Sequence, residues 1–184
     1  HTMKIKSLEI PVMGGPNVAI NGGLVLMASG DKELFETHQK IFKTIANKIF
    51  FLGESGNAHT IKLAMNMQIS LLALSLSEGI ILMKKAGIEP EKFLEILNST
   101  YFGTGMSEKK AYKMIKNEYE PTFTLKNLKK DLDIITKTAK DFDAVLPITE
   151  RANKIYDDAL AAGFGELDYT GVLAYIEKIS RTKD

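Results

Sequence analysis

The sequence predicts a mainly α protein: an incomplete α/β segment, residues 3–52, joined by one long central helix to an all-α domain, residues 53–184. Three observations predict it. Short apolar runs bounded by glycine, proline and asparagine, the mark of strands and turns, are confined to the residues before Gly53. From Ile61 to Met83 the chain carries only two charges, Lys62 and Glu78, so this helix has no polar face and is expected to run through a core. Beyond it, apolar residues recur at helical spacing, with no strand pattern, internal repeat or low-complexity segment.

Taken in order, Lys4 to Val12 leans towards strand, and Met13 to Gly23, with four glycines, a proline and two asparagines, reads as a loop. Leu24 to Ala28 is a strand by its apolar run. Asp31 caps the next helix, with Glu33 favourable in its first turn, and Leu34, Phe35, Ile41, Phe42 and Ile45 give it one apolar face. Lys48 to Leu52 reads as a second buried strand. So few strands do not close an α/β domain; the segment reads as the end of a sheet. The central helix, Asn57 to Ala86, closes with Lys84 and Lys85 against its dipole and Gly87 in the left-handed cap. Pro90 opens a helix to Asn98, and Ser107 caps another to about Lys116. Leu125, Leu128, Leu132, Ile135, Ala139 and Phe142 form the stripe of a fourth. Pro147 opens a fifth, closed by Gly163, and Asp168 caps a last one to about Ile179.

Composition narrows the class. Apolar residues make up 45% and charged residues 26%, and 24 basic residues face 23 acidic ones. That balance argues for no nucleic acid and no membrane surface as partner. The chain has no cysteine, which excludes disulfides, thiolate chemistry and cysteine metal sites and fits a cytoplasmic location. His38 and His59 are too few for a histidine-rich metal site, so no metal is expected. The central helix is the one candidate for a membrane span, but Lys62, Asn66, Gln68 and Glu78 make a core helix the better reading. His1-Thr2-Met3 reads as the remnant of a tag and is set aside.

Lys62 is the residue with chemistry to offer. A lysine near the start of a buried helix is desolvated and feels the positive end of the dipole, both of which favour the neutral amine. Such an amine serves as a general acid or base. Asn66, four residues on, shares its face. A lysine that snorkels out of the helix end fits the spacing equally well. Gly53 and Gly56 sit where a phosphate loop would, but the spacing is not that of a Gly-x-Gly-x-x-Gly fingerprint, and a flexible turn into the helix is the expected role.

The run Gly53-Glu54-Ser55-Gly56-Asn57-Ala58-His59-Thr60-Ile61-Lys62-Leu63-Ala64-Met65-Asn66 resembles the catalytic signature of the β-hydroxyacid dehydrogenases. That family includes 3-hydroxyisobutyrate dehydrogenase and the tartronate semialdehyde and glyoxylate/succinic semialdehyde reductases. Pro11-Val12-Met13-Gly14-Gly15, with Ala19, Gly22 and Leu24, resembles its substrate loop. Phe123 and Lys130-Asp131-Leu132 resemble its cleft-lining helix, and Gly165 to Thr170 the turn into its last helix. The similarity runs through residues 7–180. It implies a 6-phosphogluconate-dehydrogenase-like helical C-terminal domain after a Rossmann-type α/β segment. It also implies interconversion of a small hydroxy acid and its oxo or semialdehyde form, with NAD or NADP as cofactor and a homo-oligomer as the assembly.

By the same resemblance, Lys62 is the catalytic acid/base and Asn66 hydrogen-bonds the substrate. Met13, Gly14 and Gly15 belong to the substrate loop, the two glycines offering N–H groups to a carboxylate. Phe123 and Asp131 line the substrate side, and Lys130 reaches the cofactor; a plain solvated lysine is as good an account of Lys130. Met13 stands where the family commonly has serine, and a thioether cannot donate a hydrogen bond. Ala58 and His59 replace the usual glycine and glutamine. His59 either touches the site or is a surface histidine at a helix start. Ile69 stands where 6-phosphogluconate dehydrogenases carry a glutamate, against that activity. The nucleotide fingerprint has no counterpart, so the chain is expected to be the C-terminal part of a dehydrogenase, cut within the nucleotide-binding domain and inactive alone. The rival reading is a non-catalytic helical interaction or dimerisation module of the same fold.

Overall fold

The computed structural model describes residues 5–181; the three residues read above as a tag remnant, and the first residues of the expected α/β segment, lie outside them. The chain divides into two compact units, with the boundary between Met65 and Asn66.

In the first unit, β3 (Leu24–Gly30) is the central strand. β1 (Leu8–Glu9) and β2 (Val12–Met13) pair with it antiparallel, setting Glu9 opposite Ser29 and Val12 opposite Leu26. β4 (Ala46–Phe51) runs parallel to β3, with Met27 opposite Phe50. Leu24, Leu26, Ala28, Phe35, Phe42 and Ala46 form the core, and the rings of Phe35 and Phe51 meet at 4.8 Å.

Three expectations change here. The expected loop contains a short helix, α1 (Pro16–Ile20), because Pro16 at its first position already has the helical φ. Asp31 does cap α2 (Lys32–Thr37), accepting the Leu34 N–H at 2.8 Å. The helix then breaks at His38 and restarts as α3 (Gln39–Ile45). The His38 ring nitrogen Nδ1 lies 2.8 Å from the Leu34 carbonyl, which holds the break. The break turns the apolar face, so Phe35 and Phe42 are buried while Ile41 and Ile45 lie exposed. Nor is β4 buried on both faces: among the described residues it pairs only with β3, and Phe50 is exposed.

α4 (Asn57–Lys85) begins in the first unit and continues through the second. It ends as expected, with Gly87 at φ +73° and the Ile88 N–H on the Met83 carbonyl at 2.9 Å. Only 39% of its most apolar window is buried. Ser70, Ala73, Leu74, Leu76, Ser77 and Ile80 face the packed side, whereas Ile61, Met65 and Leu82 are exposed, so the helix is covered on one side rather than all round. By length and composition alone it is the one helix among the described residues that could cross a bilayer.

The rest of the second unit is helical. α5 (Pro90–Asn98), α6 (Gly105–Lys109) and α7 (Ala111–Ile115) pack around Leu76, Ile80, Leu94, Met114 and Leu173. Ser107 does not start a helix. It is the third residue of α6, in a reciprocal cap with Thr104, and the expected continuous helix breaks at Lys110. α8 (Leu125–Asp141) buries Leu125, Leu128, Leu132, Ile135 and Ala139 as its stripe predicts. Phe142 leaves the stripe because it is the cap residue at φ −105°, where the chain turns off the helix into solvent. α9 (Pro147–Ala159) runs into a π turn, Leu160–Phe164, ending at Gly163 with φ +93°. Asp168 caps a short turn, Tyr169–Gly171, that leads into α10 (Val172–Arg181). An isolated bridge, Thr124 to Asp168, is the remnant of extended pairing in this unit.

Candidate active site

In the first unit, the edge segment β1–β2 and the start of α4 are joined at two points. Glu9 Oε2 accepts the Gly56 N–H at 2.8 Å and lies 3.0 Å from His59 Nδ1. Three residues along the strand and three along the helix, Lys62 Nζ donates to the Val12 carbonyl at 2.6 Å. Ser29 Oγ completes the knot, donating to Glu9 at 3.0 Å and accepting the Ala58 N–H at 3.2 Å. Helix starts leave N–H groups without intrahelical partners. Here two of them are satisfied by side chains from β1 and β3 instead of by a local cap. The hydrogen bond to His59, then that to Gly56, holds the Glu9 carboxyl below its usual range.

Lys62 is half-buried rather than buried, and it neither snorkels freely nor lies loose: its ammonium is fixed on the residue preceding Met13. Met13 is half-buried in its pairing with Val25, and Gly14 and Gly15 follow as an exposed turn. Gly14 has φ +130°, and a Cβ there would stand 2.7 Å from the Leu24 side chain, so this turn requires glycine. Gly15 starts α1, its carbonyl accepting the N–H groups of Val18 and Ala19 at 3.0 Å. His59 is paired with Glu9, with its side chain 61% exposed.

The second unit holds the other candidates. Asn66 is 5% exposed, and its Nδ2 donates to Asp131 Oδ2 at 2.7 Å. A carboxylate only accepts hydrogen bonds, so it dictates which way the amide faces: Nδ2 towards Asp131, Oδ1 away and able to accept. Lys130 Nζ pairs with the other oxygen of Asp131 at 3.0 Å while its side chain stays 65% exposed. Phe123 is half-buried, edge-on to Tyr169 with ring centroids 6.3 Å apart. The structure thus brings Asp131 into direct contact with both Asn66 and Lys130, and sets Phe123 against Tyr169. Lys62 and Asn66 sit on successive turns of α4. Sequence reasoning missed Glu9 and Ser29, which have no local signal: each acts through pairing across long sequence separations.

The same geometry tests the fit of a dinucleotide. A helix start is in general a site for phosphate, yet at α4 the Gly56 N–H is already taken by the Glu9 carboxylate, whose charge repels phosphate. No Gly-x-Gly-x-x-Gly occurs in the chain. This helix start does not fit the phosphates of NAD or NADP. Lys130, paired with Asp131, is the residue that the resemblance directs to the cofactor.

Comparison with known proteins agrees with this frame. The family described as NAD-binding of NADP-dependent 3-hydroxyisobutyrate dehydrogenase matches residues 56–176, and that described as the NAD binding domain of 6-phosphogluconate dehydrogenase matches residues 1–53. The fold is shared with 3-hydroxyisobutyrate dehydrogenase from Salmonella typhimurium at a TM-score of 0.85 and 23% identity, over 92% of this chain and 60% of that one. The chain belongs to the β-hydroxyacid dehydrogenase family. It is 32% identical over 174 residues to glyoxylate/succinic semialdehyde reductase 1 of Arabidopsis thaliana, covering 95% of this chain and 60% of the relative. It is also 32% identical over 165 residues to the cytokine-like nuclear factor N-PAC of Aedes aegypti, covering 90% and 30%. The chain therefore spans between 30% and 60% of the length of these relatives.

Proposed function

We propose that this chain supplies the substrate-binding and proton-transfer part of a reductase acting on a small oxo acid or semialdehyde, and on the matching hydroxy acid in reverse. The observation that carries this reading is Lys62, an amine held by the Val12 carbonyl immediately before the Met13-Gly14-Gly15 turn. In the reductive direction the Lys62 ammonium gives a proton to the oxygen that becomes the hydroxyl; in the oxidative direction the amine takes that proton back. Gly14 and Gly15 offer backbone N–H groups to the substrate carboxylate. Asn66, with Nδ2 committed to Asp131, presents Oδ1 as acceptor for the substrate hydroxyl. Phe123 supplies an apolar wall and Asp131 acts by orienting Asn66. NAD or NADP, the family's cofactor, would supply the hydride when bound, and Lys130 would be the residue directed to it. Residues 3–52 are then the remnant of a dinucleotide-binding α/β domain that also carries the substrate loop, and residues 53–184 an all-α substrate and dimerisation domain, with a cytoplasmic, homo-oligomeric enzyme as the parent.

Alone, the chain is expected not to turn over. The test pairs two proteins: the chain itself, and the chain fused to the portion of Arabidopsis reductase 1 that it does not span. Oxidation of NADPH or NADH with glyoxylate or succinic semialdehyde is expected only from the fusion. Turnover by the chain alone overturns the inactivity. A folded fusion that binds cofactor without turnover overturns the catalytic reading and leaves the second one, a non-catalytic interaction module. That second reading is favoured by the equal identity to a protein named a nuclear factor.

A further inference from the structure

Asp168 is a carboxylate 3% exposed, and its partners are unusually many. Lys110 Nζ donates to both oxygens, at 2.9 and 2.8 Å. Thr122 donates through its N–H at 3.0 Å and its hydroxyl at 2.9 Å. Thr170 donates through its hydroxyl at 2.9 Å and its N–H at 3.3 Å. Lys110 also reaches the Thr122 hydroxyl at 2.9 Å and stands over the face of the Tyr169 ring, 4.2 Å from its centroid. This network accounts for the break between α6 and α7: it falls at Lys110, whose side chain runs inward to Asp168.

A buried ion pair is a poor source of stability, since apolar side chains of similar volume do as well. What it fixes is geometry. Around Asp168 the chain is clamped to the segment that carries Phe123: the Tyr169 N–H bonds the Phe123 carbonyl at 2.9 Å, the Leu125 N–H bonds the Leu167 carbonyl at 2.8 Å, and Asp168 donates its own N–H to Tyr119 at 3.0 Å. Tyr169 meets Phe123 with its ring, as Lys110 meets Tyr169. Thr124, next to Phe123, caps α8.

We propose that Lys110, acting through Asp168 and Tyr169, is a positioning residue that sets Phe123 against the substrate's apolar part. The proposal rests on the substrate role given to Phe123 above. Lys110 touches no substrate. Its ammonium fixes the Asp168 carboxylate and the Tyr169 ring, and these fix both the backbone and the ring of Phe123. The first turn of α8, and with it the start of the helix that bears Asp131, takes its place from the same clamp.

The experiment uses the full 184-residue chain as wild type, Lys110→Met and Lys110→Arg. Three readouts are taken: thermal midpoint, NMR of the Phe123 ring and Tyr169 amide exchange, and affinity for 3-hydroxyisobutyrate from titration shifts at Asn66. Lys110→Met is expected to move the Phe123 ring resonances, speed Tyr169 exchange and weaken the hydroxy acid about tenfold, for a shift of the wall by less than an ångström. Lys110→Arg, which keeps the charge, is expected to restore the Phe123 resonances, the Tyr169 exchange and the affinity even where the midpoint stays lowered. Unchanged affinity in Lys110→Met, or Lys110→Arg no better than Lys110→Met at matched midpoint, overturns the proposal. If wild type shows no titration shift at all, the substrate reading itself fails; moved Phe123 resonances in Lys110→Met then mark a structural tie only, and the positioning role falls with it. If wild type binds and Lys62→Ala weakens it, but Lys110→Met does not, the substrate reading stands and only the positioning role is lost. Thr122→Val, which removes a single hydroxyl, guards against a Lys110 variant that fails to fold; it is expected to show the same direction of change, smaller in size, and no change in it also overturns the proposal.

Discussion

The two units hold their candidate site residues by opposite means. In the first, the fixed points are backbone groups at a sheet edge: the Val12 carbonyl under Lys62, the Gly14 turn, and the Gly56 N–H on Glu9. In the second they are charged side chains: Asp131 between Asn66 and Lys130, and Asp168 gathering Lys110, Thr122 and Thr170. Backbone anchors tolerate changes in side chain except where space or φ forbids them. Charge networks fail at once when one member is removed, because the partner is left desolvated.

The largest effect expected is at Lys62 itself. In the fusion described above, Lys62→Ala is expected to lower turnover by about a thousandfold, the scale of a lost general acid or base, with the fold intact by circular dichroism. Turnover within tenfold of the parent would sink the lysine assignment. Next comes Asp168→Ala. Removing the acceptor leaves Lys110 without its partner, and a loss of about 3 kcal/mol in urea unfolding is expected, somewhat reduced because Lys110 is partly exposed. A loss below about 1 kcal/mol would make the second unit as tolerant as the first and erase the contrast.

Asp131→Asn sharpens the comparison within the second unit. Asparagine both donates and accepts, so it no longer dictates how the Asn66 amide faces, and an affinity loss of about tenfold for the hydroxy acid is expected without loss of stability. Smaller still is Glu9→Gln. The Gly56 N–H keeps an acceptor, but the charge-assisted bond is gone, and about 1 kcal/mol of stability should disappear, with amide exchange rising first at Gly56 to Thr60. Exchange that rises uniformly along α4 would argue against a tie localised at its start.

Acid adds a test with a definite sign. Burial alone would raise the Asp168 carboxyl, but the bonds from Lys110, Thr122 and Thr170 outweigh it and hold the group below its ordinary value. Lys110 is the cation facing it, and Tyr169 and Tyr156 are the other titratable neighbours, both remaining protonated in acid. A carboxyl lowered on folding contributes fully above its unfolded value of about 3.9 and loses that contribution as the pH falls through the lowered one. The thermal midpoint of wild type should therefore fall below pH of about 4, and Asp168→Asn, starting lower, should fall less steeply.

How much of this was legible in the sequence follows the same division. The long helix, its glycine cap, the α8 stripe and the caps by Asp31 and Asp168 were readable because each is local: a period, a cap or a φ preference settles it. The breaks at His38 and Lys110 were not, since each depends on where one side chain goes, back to the Leu34 carbonyl or inward to Asp168. The run from Gly53 to Asn66 was enough to single out Lys62 and Asn66 as candidates. Their anchors, Val12 and Asp131, lie 50 and 65 residues away in sequence, and no spacing rule reaches that far.

The knot of Glu9, Ser29 and Gly56 has a practical corollary for anyone transplanting the helical unit. A graft beginning at Asn57 would leave behind the side chains that satisfy the opening amides of α4 and the carbonyl that holds Lys62. The helix would start unwound by about a turn, and the lysine would swing in solvent. A working transplant has to begin no later than β1, carrying its own piece of sheet as the socket into which the helix is seated.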